Sequence, residues 1–368
     1  MKKFRGRLGL QQRVFPAYRV AFFDSLAAST DGLSLFAGQP RLDESIHTAT
    51  ELDIAQYYPA RNRHFLRGPL YLCWQPNLLS WLEEWDPAAL ILEANPRYPS
   101  NRAAIRWMHA RGRPVVGWGL GASPLTGLLR YPRRRSRLKF LRSLDAVIAY
   151  SSRGADEYRA LGLSPDRVYV APNAVAPRPA DAPPKRSPAF DGQPNLLFVG
   201  RMQSRKRIDN LLRACAALPP DLTPRLRIVG DGPARADLEA LATEVFPQAE
   251  FLGARHGSEL VQSYASADLF VLPGTGGLAI QEAMSHGLPV LVAEGDGTQA
   301  DLVRPANGWL VPAHDLAALT QALTSALSDP VRLRLMGAES YRIALEEVNI
   351  ETMVSVFLNV LHTLSRKE

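Results

Sequence analysis

Short apolar runs bounded by Gly, Pro or Asn alternate with longer amphipathic segments through most of this chain. The short runs read as buried strands and the longer segments as helices. In the first half, strands are expected near residues 8–12, 33–36, 71–74, 89–94, 115–118, 146–150 and 168–171, with helices at 19–28, 78–85, 101–111, 132–144 and 153–161. Consecutive strands separated by a helix pair in parallel, because the crossover is long enough to return the chain to the same end of the sheet. The alternation therefore predicts an α/β fold, with parallel sheets covered by helices on both faces.

The pattern breaks once. Pro172, Pro177, Pro179, Pro183, Pro184, Pro188 and Pro194 fall in one span with little apolar content, which reads as a linker or an extended surface connection. After it, strands are expected at 195–199, 226–229, 250–252, 269–272 and 290–293, and helices at 208–218, 234–241, 258–266, 278–286 and 316–327. Two closing helices, 330–347 and 351–365, have no strand between them. A chain of 368 residues is too long for one ordinary core. The reading is two Rossmann-like domains, residues 1–172 and 195–347, joined by a linker at 173–194. Ligands of such sheets bind beyond the carboxyl ends of the strands, here expected in the cleft between the domains.

Composition narrows the setting. With 46% hydrophobic and 21% charged residues, the chain has the make-up of a soluble globular protein. No apolar run reaches the ~18 residues that span a bilayer, and the opening MKKFRGRLGLQQRVFPAYR lacks the apolar core of a signal peptide. Cys73 and Cys215 lie far apart, without metal-like spacing, and imply a reducing compartment. A cytoplasmic location is expected, with attachment to the inner face of the membrane as a refinement.

That refinement comes from charge. Arg130, Arg133, Arg134, Arg135, Arg137, Lys139 and Arg142 account for the whole net charge of +7. One patch, rather than a broad basic face, argues against a nucleic-acid partner. The same segment carries Leu128, Leu129, Tyr131, Leu138, Phe140 and Leu141. A basic amphipathic helix of this kind suits an anionic membrane surface. It also suits a solvated helix whose apolar side belongs to the core.

The chemically richest stretch is LFVLPGTGGLAIQEAMSHGLPV, residues 269–290. It reads as strand, turn, helix, strand. The turn Gly274, Thr275, Gly276 and Gly277 leads into a helix starting at Leu278, and a helix N-terminus attracts phosphate. Glu282 lies one turn in, on the face shared by Leu278 and His286, and a carboxylate there suits a ribose diol. Taken alone, the stretch fits a plain turn before a helix with a solvated glutamate equally well. Gly200 ends the strand of NLLFVGRMQSRKR, and Arg201 and Lys206 follow it as a candidate diphosphate clamp; alone they fit ordinary surface cations. VGDGP, residues 229–233, lacks the GxGxxG spacing of a dinucleotide site. The histidines are scattered and no HExxH occurs, so no metal or other cofactor is expected.

Taken together, these pieces resemble the donor-binding domain of family-4 glycosyltransferases, which have the GT-B fold. FVGRMQSRK (198–206), IVGDGP (228–233), FLG (251–253), SYASADLFVLPG (263–274), GLAIQEAMSHGLPV (277–290) and NGWLV (307–311) occur in the family's order. QQRVFPAYR (11–19), EANPRYPS (93–100) and AYSSRGADEYRALGLSPDRVYVAPNAV (149–175) extend the likeness into the first half. The resemblance implies retaining transfer of a sugar from a nucleotide-sugar donor, UDP- or GDP-linked, to a saccharide or lipid-linked saccharide in cell-surface polysaccharide or glycoconjugate synthesis. It implies that Arg201 and Lys206 hold the diphosphate, that Glu282 binds the ribose, and that the turn Gly253, Ala254 and Arg255 holds the base. It also implies that the closing helices pack back on the first domain, the last at about 348–368 completing it.

Two positions depart from the family pattern. Gly274 stands where a glutamate seven residues before Glu282 is usual, and Leu120 stands where many members carry a histidine. No side-chain nucleophile is left, so the expected chemistry is front-face attack, with the leaving phosphate taking the acceptor's proton. The departures also motivate an alternative, a non-catalytic nucleotide-sugar-binding or scaffold protein of the same fold. An NAD-dependent oxidoreductase rests on the alternation alone and ranks last. In the first domain, Arg13, Tyr18, Arg19, Asn95 and Arg97 follow strand ends and are the acceptor or cleft candidates, with Glu93 beside them; capping is the competing role for Asn95.

Overall fold

The computed structural model describes residues 2–41, 44, 46–122, 125, 127 and 130–366, leaving aside the side chain of Pro69. Leu128 and Leu129 of the basic segment lie outside the described residues. The chain divides into two compact units, Met1–Pro177 with Ile350–Glu368, and Arg178–Asn349.

Unit 1 begins β1 (Leu8–Val14), α1 (Val20–Ala28), β2 (Leu33–Gly38) and β3 (Gln56–Pro59). A hairpin follows, β4 (Arg63–Phe65) and β5 (Leu72–Trp74). Then come α2 (Leu78–Trp85), β6 (Ala89–Glu93), α3 (Pro99–His109), β7 (Val115–Gly119), α4 (Arg130–Arg142), β8 (Ala146–Ala149), α5 (Ser152–Leu161) and β9 (Val168–Val170). Among the described residues, β3-β2-β1-β6-β7-β8-β9 form one seven-stranded sheet with every pairing parallel. The expected strand at 71–74 does not join it. Its residues pair antiparallel with β4 instead, Arg63 opposite Trp74 and Phe65 opposite Leu72. Period-two burial alone does not say which sheet a short run enters. The edge strand β3 escaped the sequence reading because Gln56–Pro59 is half polar and has no buried residue.

Unit 2 runs β10 (Asn195–Val199), α6 (Ile208–Ala216), β11 (Arg225–Val229), α7 (Arg235–Val245), β12 (Glu250–Gly253), α8 (Gly257–Ala265), β13 (Leu269–Leu272), α9 (Leu278–Ser285), β14 (Val290–Ala293), α10 (Gln299–Leu302), β15 (Gly308–Val311), α11 (Leu316–Leu327) and α12 (Pro330–Glu346). Its six-stranded sheet, again counted over the described residues, has the order β12-β11-β10-β13-β14-β15 and is parallel throughout. The sequence reading had no strand at β15, whose opening Gly-Trp gives no long apolar run.

Of the two closing helices, α12 stays on unit 2 against α9, whereas α13 (Ile350–Ser365) returns to unit 1 and packs on α1. Phe357 fixes that return. Its ring meets Phe22 of α1 and Trp118 of β7, both with centroids 5.1 Å away and close to edge-on. Burial of each such ring stabilises by about 1.5–3 kcal/mol. One face of the unit 1 sheet is thus covered by α1 and α13, and the other by α2, α3, α4 and α5.

The strand orders decide where ligands fit. In each sheet the order reverses once, between β1 and β6 in unit 1 and between β10 and β13 in unit 2. Neighbouring loops diverge at such a point and leave a crevice beyond the strand ends. The loops there carry Phe15–Arg19 and Ala94–Tyr98 in unit 1, and Gly200–Lys206 and Pro273–Gly277 in unit 2.

Candidate active site

In unit 2 the loop after β10 is held from below. Met202 is fully buried, its N–H donates to Asp231 O at 2.8 Å, and its carbonyl accepts from Ala234 N at 3.2 Å. The two glycines of VGDGP let that loop approach, since a β-carbon on Gly230 or Gly232 would collide with Gly200 O or Met202 O. The motif is a packing device rather than a dinucleotide fingerprint.

The loop then leans on the turn after β13. Thr275 N donates to Arg205 O at 3.0 Å, and Arg205 Nη1 donates to Thr275 Oγ1 at 3.3 Å. A β-carbon on Gly274 would run into the Arg205 carbonyl and the Lys206 backbone. A glutamate is therefore sterically excluded at 274, because the cation-bearing loop fills its place. Lys206 Nζ reaches the turn itself and lies where a β-carbon on Gly276 would stand. Burial, helped by the neighbouring charge of Arg205, lowers the Lys206 ammonium to a pKa of about 8. Arg201 is exposed beside the same loop.

The helix that starts here has no side-chain cap. Gly277 is its N-cap, with no acid in the first turn, so the N–H groups of Leu278 and Ala279 have no intrahelical partner. Glu282, one turn on, is half-buried and accepts from Tyr264 Oη at 3.3 Å. Burial pushes its carboxyl up, and the tyrosine partly offsets that. The Tyr264 ring stacks on His286 at 5.1 Å and 10°. Gln299 latches the turn from α10: its Nε2 donates to Gly276 O at 3.0 Å, and it is 2% exposed. Tyr264 and Gln299 were not singled out from sequence, since both touch the site only through tertiary packing. Gly253 ends β12, two strands from the reversal, and Ala254 and Arg255 follow it, Arg255 donating to Ser263 Oγ at 3.2 Å.

Arg186 of the proline-rich span braces the opposite end of unit 2, where α8 and α9 run out before β13 and β14 begin. It donates to the carbonyls of Tyr264, Ala267, His286 and Gly287 at 2.8–3.2 Å. These carbonyls end α8 and α9, so one guanidinium caps both helices.

Unit 1 sorts its candidates differently. Arg13 Nη1 donates to Glu44 Oε2 at 2.7 Å, so its charge is met within the unit. Glu93 accepts from the Arg13 backbone N–H at 2.6 Å, and burial pushes its carboxyl up. Arg19 is 4% exposed, bonded to Asn173 Oδ1, with its guanidinium over Trp118 at 4.7 Å and Tyr18 at 5.3 Å. It is packed in aromatics, whereas Tyr18 is exposed. Asn95 caps its own loop, with Oδ1 accepting from Arg97 N at 3.1 Å. Arg97 lines a cavity of about 350 Å³ with Glu93, Trp118, Leu120, Arg137 and Tyr150. Burial first, then the charge of Arg97, lowers the Arg137 guanidinium. Two cations therefore face one cavity, and Leu120 stands exposed at its mouth.

The basic helix α4 turns its apolar side inward: Phe140 and Leu141 are buried, and Leu138 packs on the core. Its outward face carries Tyr131, Arg130, Arg134, Arg135, Lys139 and Arg142, whereas Arg137 lines the cavity. Among the described residues no helix is long and apolar enough to cross a membrane, and no group of three His, Cys, Asp or Glu is placed to hold a metal ion.

Two family models match. Residues 193–329 match "Glycosyl transferases group 1" and residues 32–178 match "Glycosyltransferase Family 4". A GDP-mannose-dependent alpha-mannosyltransferase of Mycobacterium tuberculosis is 42% identical over 128 residues, 33% of this chain and 31% of that protein. A D-inositol 3-phosphate glycosyltransferase of Nocardia farcinica is 34% identical over 213 residues, 52% of this chain and 47% of that protein. The chain thus spans from a third to about half the length of these relatives. Sucrose-phosphate synthase from Thermosynechococcus elongatus shares the fold with a TM-score of 0.69 at 19% identity, over 98% of this chain and 100% of that one. Anabaena HepE, solved in complex with UDP, shares it at 0.69 and 18%, over 99% and 100%.

Proposed function

The chain belongs to the group 1, family-4 glycosyltransferases, and from that premise we propose that it transfers a sugar from a nucleotide-sugar donor to a saccharide or lipid-linked saccharide, with retention, in cell-surface polysaccharide or glycoconjugate synthesis. The observation that carries the proposal is the convergence of Lys206 on the Gly276 turn, at the open N-terminus of α9, with Glu282 one turn further along.

Each group has a task in that reading. The donor diphosphate sits between Lys206, Arg201 and the N–H groups that open α9, and Glu282 accepts from the ribose hydroxyls. Gly253–Arg255 flank the base, which is guanine or uracil; the relatives' GDP-mannose and HepE's UDP motivate those two. As the glycosidic bond to the phosphate lengthens, the sugar becomes oxocarbenium-like and negative charge grows on the diphosphate. Lys206 and the helix end stabilise that charge, and one such contact is worth about 3–4 kcal/mol of barrier. The leaving phosphate takes the acceptor's proton, so no protein base is needed. The fixed cations supply the counter-charge, and transfer proceeds without a metal; turnover unchanged by EDTA checks this.

The acceptor occupies the unit 1 cavity at Arg97 and Arg137. The exposed cations of α4 hold the enzyme at the anionic inner face of the cytoplasmic membrane, each contributing about 1 kcal/mol near the surface.

A thermal-shift screen against UDP, GDP, ADP and their sugars tests the donor assignment, since a ligand bound only by the folded state raises its stability. Lys206→Ala and Glu282→Ala each lose most of kcat/KM for the donor, on the order of a hundredfold, Lys206→Ala through kcat and Glu282→Ala through KM, while their ligand-free melting stays at the wild-type temperature. Wild-type kcat/KM in both variants refutes the assignment.

A further inference from the structure

The helix α4 turns Phe140 and Leu141 into the core and, among its described residues, leaves Tyr131 as its one exposed large apolar side chain. A larger apolar element lies elsewhere in unit 1. The outward face of the β4–β5 hairpin carries Phe65 (46% exposed), Leu72 (37%) and Trp74 (45%), and its turn exposes Leu70 (57%) and Leu66 (62%), the latter at the edge of a cavity it lines with His64. The inward face, His64, Tyr71 and Cys73, is half-buried or buried. An amphipathic ribbon has therefore put its large apolar side chains toward water, which is what an interaction surface does.

The conformation of the turn fits that role. Leu66 has φ +58, the left-handed region that a branched side chain adopts only where something over-determines it. Its side chain stands outside the core, at the edge of the cavity it lines with His64 and Arg67. Charge then selects the partner. Arg61, Arg63 and Arg67 are exposed around the apolar side chains, and residues 54–82 contain no Asp or Glu at all. A second copy of the chain, docked through the same face, would bring arginine against arginine. An anionic lipid surface offers both what the apolar tip needs and what the arginines need. Trp74 under Arg63, 6.0 Å from guanidinium to ring centre, is the aromatic–cation pair suited to the headgroup level.

We infer that the β4–β5 hairpin is a membrane-docking element, with Phe65, Leu66, Leu70, Leu72 and Trp74 entering the interface of an anionic bilayer while Arg61, Arg63 and Arg67 bind its headgroups. The hairpin adjoins the cavity described above, since Cys73 N of β5 donates to Arg97 O at 3.0 Å. Docking there brings a lipid-linked acceptor to Arg97; that purpose, though not the docking, rests on the proposed function.

The test uses the full chain, without donor or acceptor, so it stands apart from turnover. Vesicles of phosphatidylcholine are compared with vesicles of phosphatidylcholine and phosphatidylglycerol in equal parts. The wild type is expected to sediment with the anionic vesicles, its tryptophan emission shifting to the blue and being quenched by brominated acyl chains. Trp74→Phe removes most of that shift and quenching, since of the other five tryptophans Trp81 and Trp118 are 1% exposed and Trp85, Trp107 and Trp309 are half-buried outside the hairpin. Phe65→Asp with Leu70→Asp weakens partitioning about tenfold or more, and Arg63→Glu with Arg67→Glu removes the preference for anionic vesicles. The inference is overturned if the wild type ignores anionic vesicles or if bound wild type keeps an unquenched Trp74. It is also overturned if a folded Phe65→Asp, Leu70→Asp chain binds as the wild type does. A concentration-dependent dimer that this double substitution dissolves overturns it in favour of a second copy.

Discussion

Lys206 Nζ occupies the space that a β-carbon on residue 276 would take. The ammonium is therefore set against the turn that opens α9, and burial there lowers its pKa to about 8. The proposed diphosphate contact needs the charged form. We expect kcat/KM for the donor to fall as pH rises through about 8, and Lys206→Arg, charged at every accessible pH, to flatten that limb. In the unfolded chain the amine titrates at 10.5. Between about 8 and 10.5 the unfolded state thus binds the extra proton, and this residue's contribution to stability rises with pH across that window. A pH–rate profile of both proteins checks the first expectation, and denaturation at several pH values checks the second.

Tyr264 donates to Glu282 and is otherwise packed on His286. Tyr264→Phe keeps the ring and removes the donor. The carboxylate it leaves loses a bond whose net worth is about 0.5–1.5 kcal/mol. KM for the donor should rise about three- to tenfold by that loss, with kcat and melting temperature little changed, because the ribose contact is made equally before and during transfer. Steady-state kinetics separate this from a packing defect, which would lower both.

Gly274 is a position where even alanine is costly, since its β-carbon meets backbone atoms of Arg205 and Lys206 rather than a flexible side-chain end. Gly274→Ala should destabilise by about 1–3 kcal/mol and weaken donor binding by shifting Lys206. Gly274→Glu, which writes the usual family residue back, should do worse rather than restore anything. Thermal unfolding with and without nucleoside diphosphate measures both effects.

Arg186 holds four helix-terminal carbonyls in a half-buried position. Arg186→Ala leaves them without that donor and should cost about 3 kcal/mol, read as a lower denaturation midpoint. Arg186→Lys should recover only part of it, because one ammonium lacks the planar fork.

The order of strands and helices was largely legible because apolar period and length are local properties. The loops at Gly200–Lys206 and Pro273–Gly277 were legible for the same reason: strand, glycine, cation and helix follow one another directly. Where the reading fell short, distance along the chain was the cause. The run at 71–74 looked like any sheet strand until β4 claimed it. Arg13 looked like a cleft cation until Glu44, in a separate loop, was found on it.

The sequence by itself determined the two parallel sheets, the two loops that meet at the reversal of strand order in unit 2, and that these loops and α9 carry the charged groups Lys206, Arg201 and Glu282. Only the tertiary structure decided how each of those groups is tuned. Burial lowers Lys206 and raises Glu282, Tyr264 and Gln299 arrive from other elements, and the backbone of the 203–207 loop takes the room a side chain at 274 would need. Desolvation and close approach depend on which atoms surround a group in space, and neighbours along the chain do not specify them.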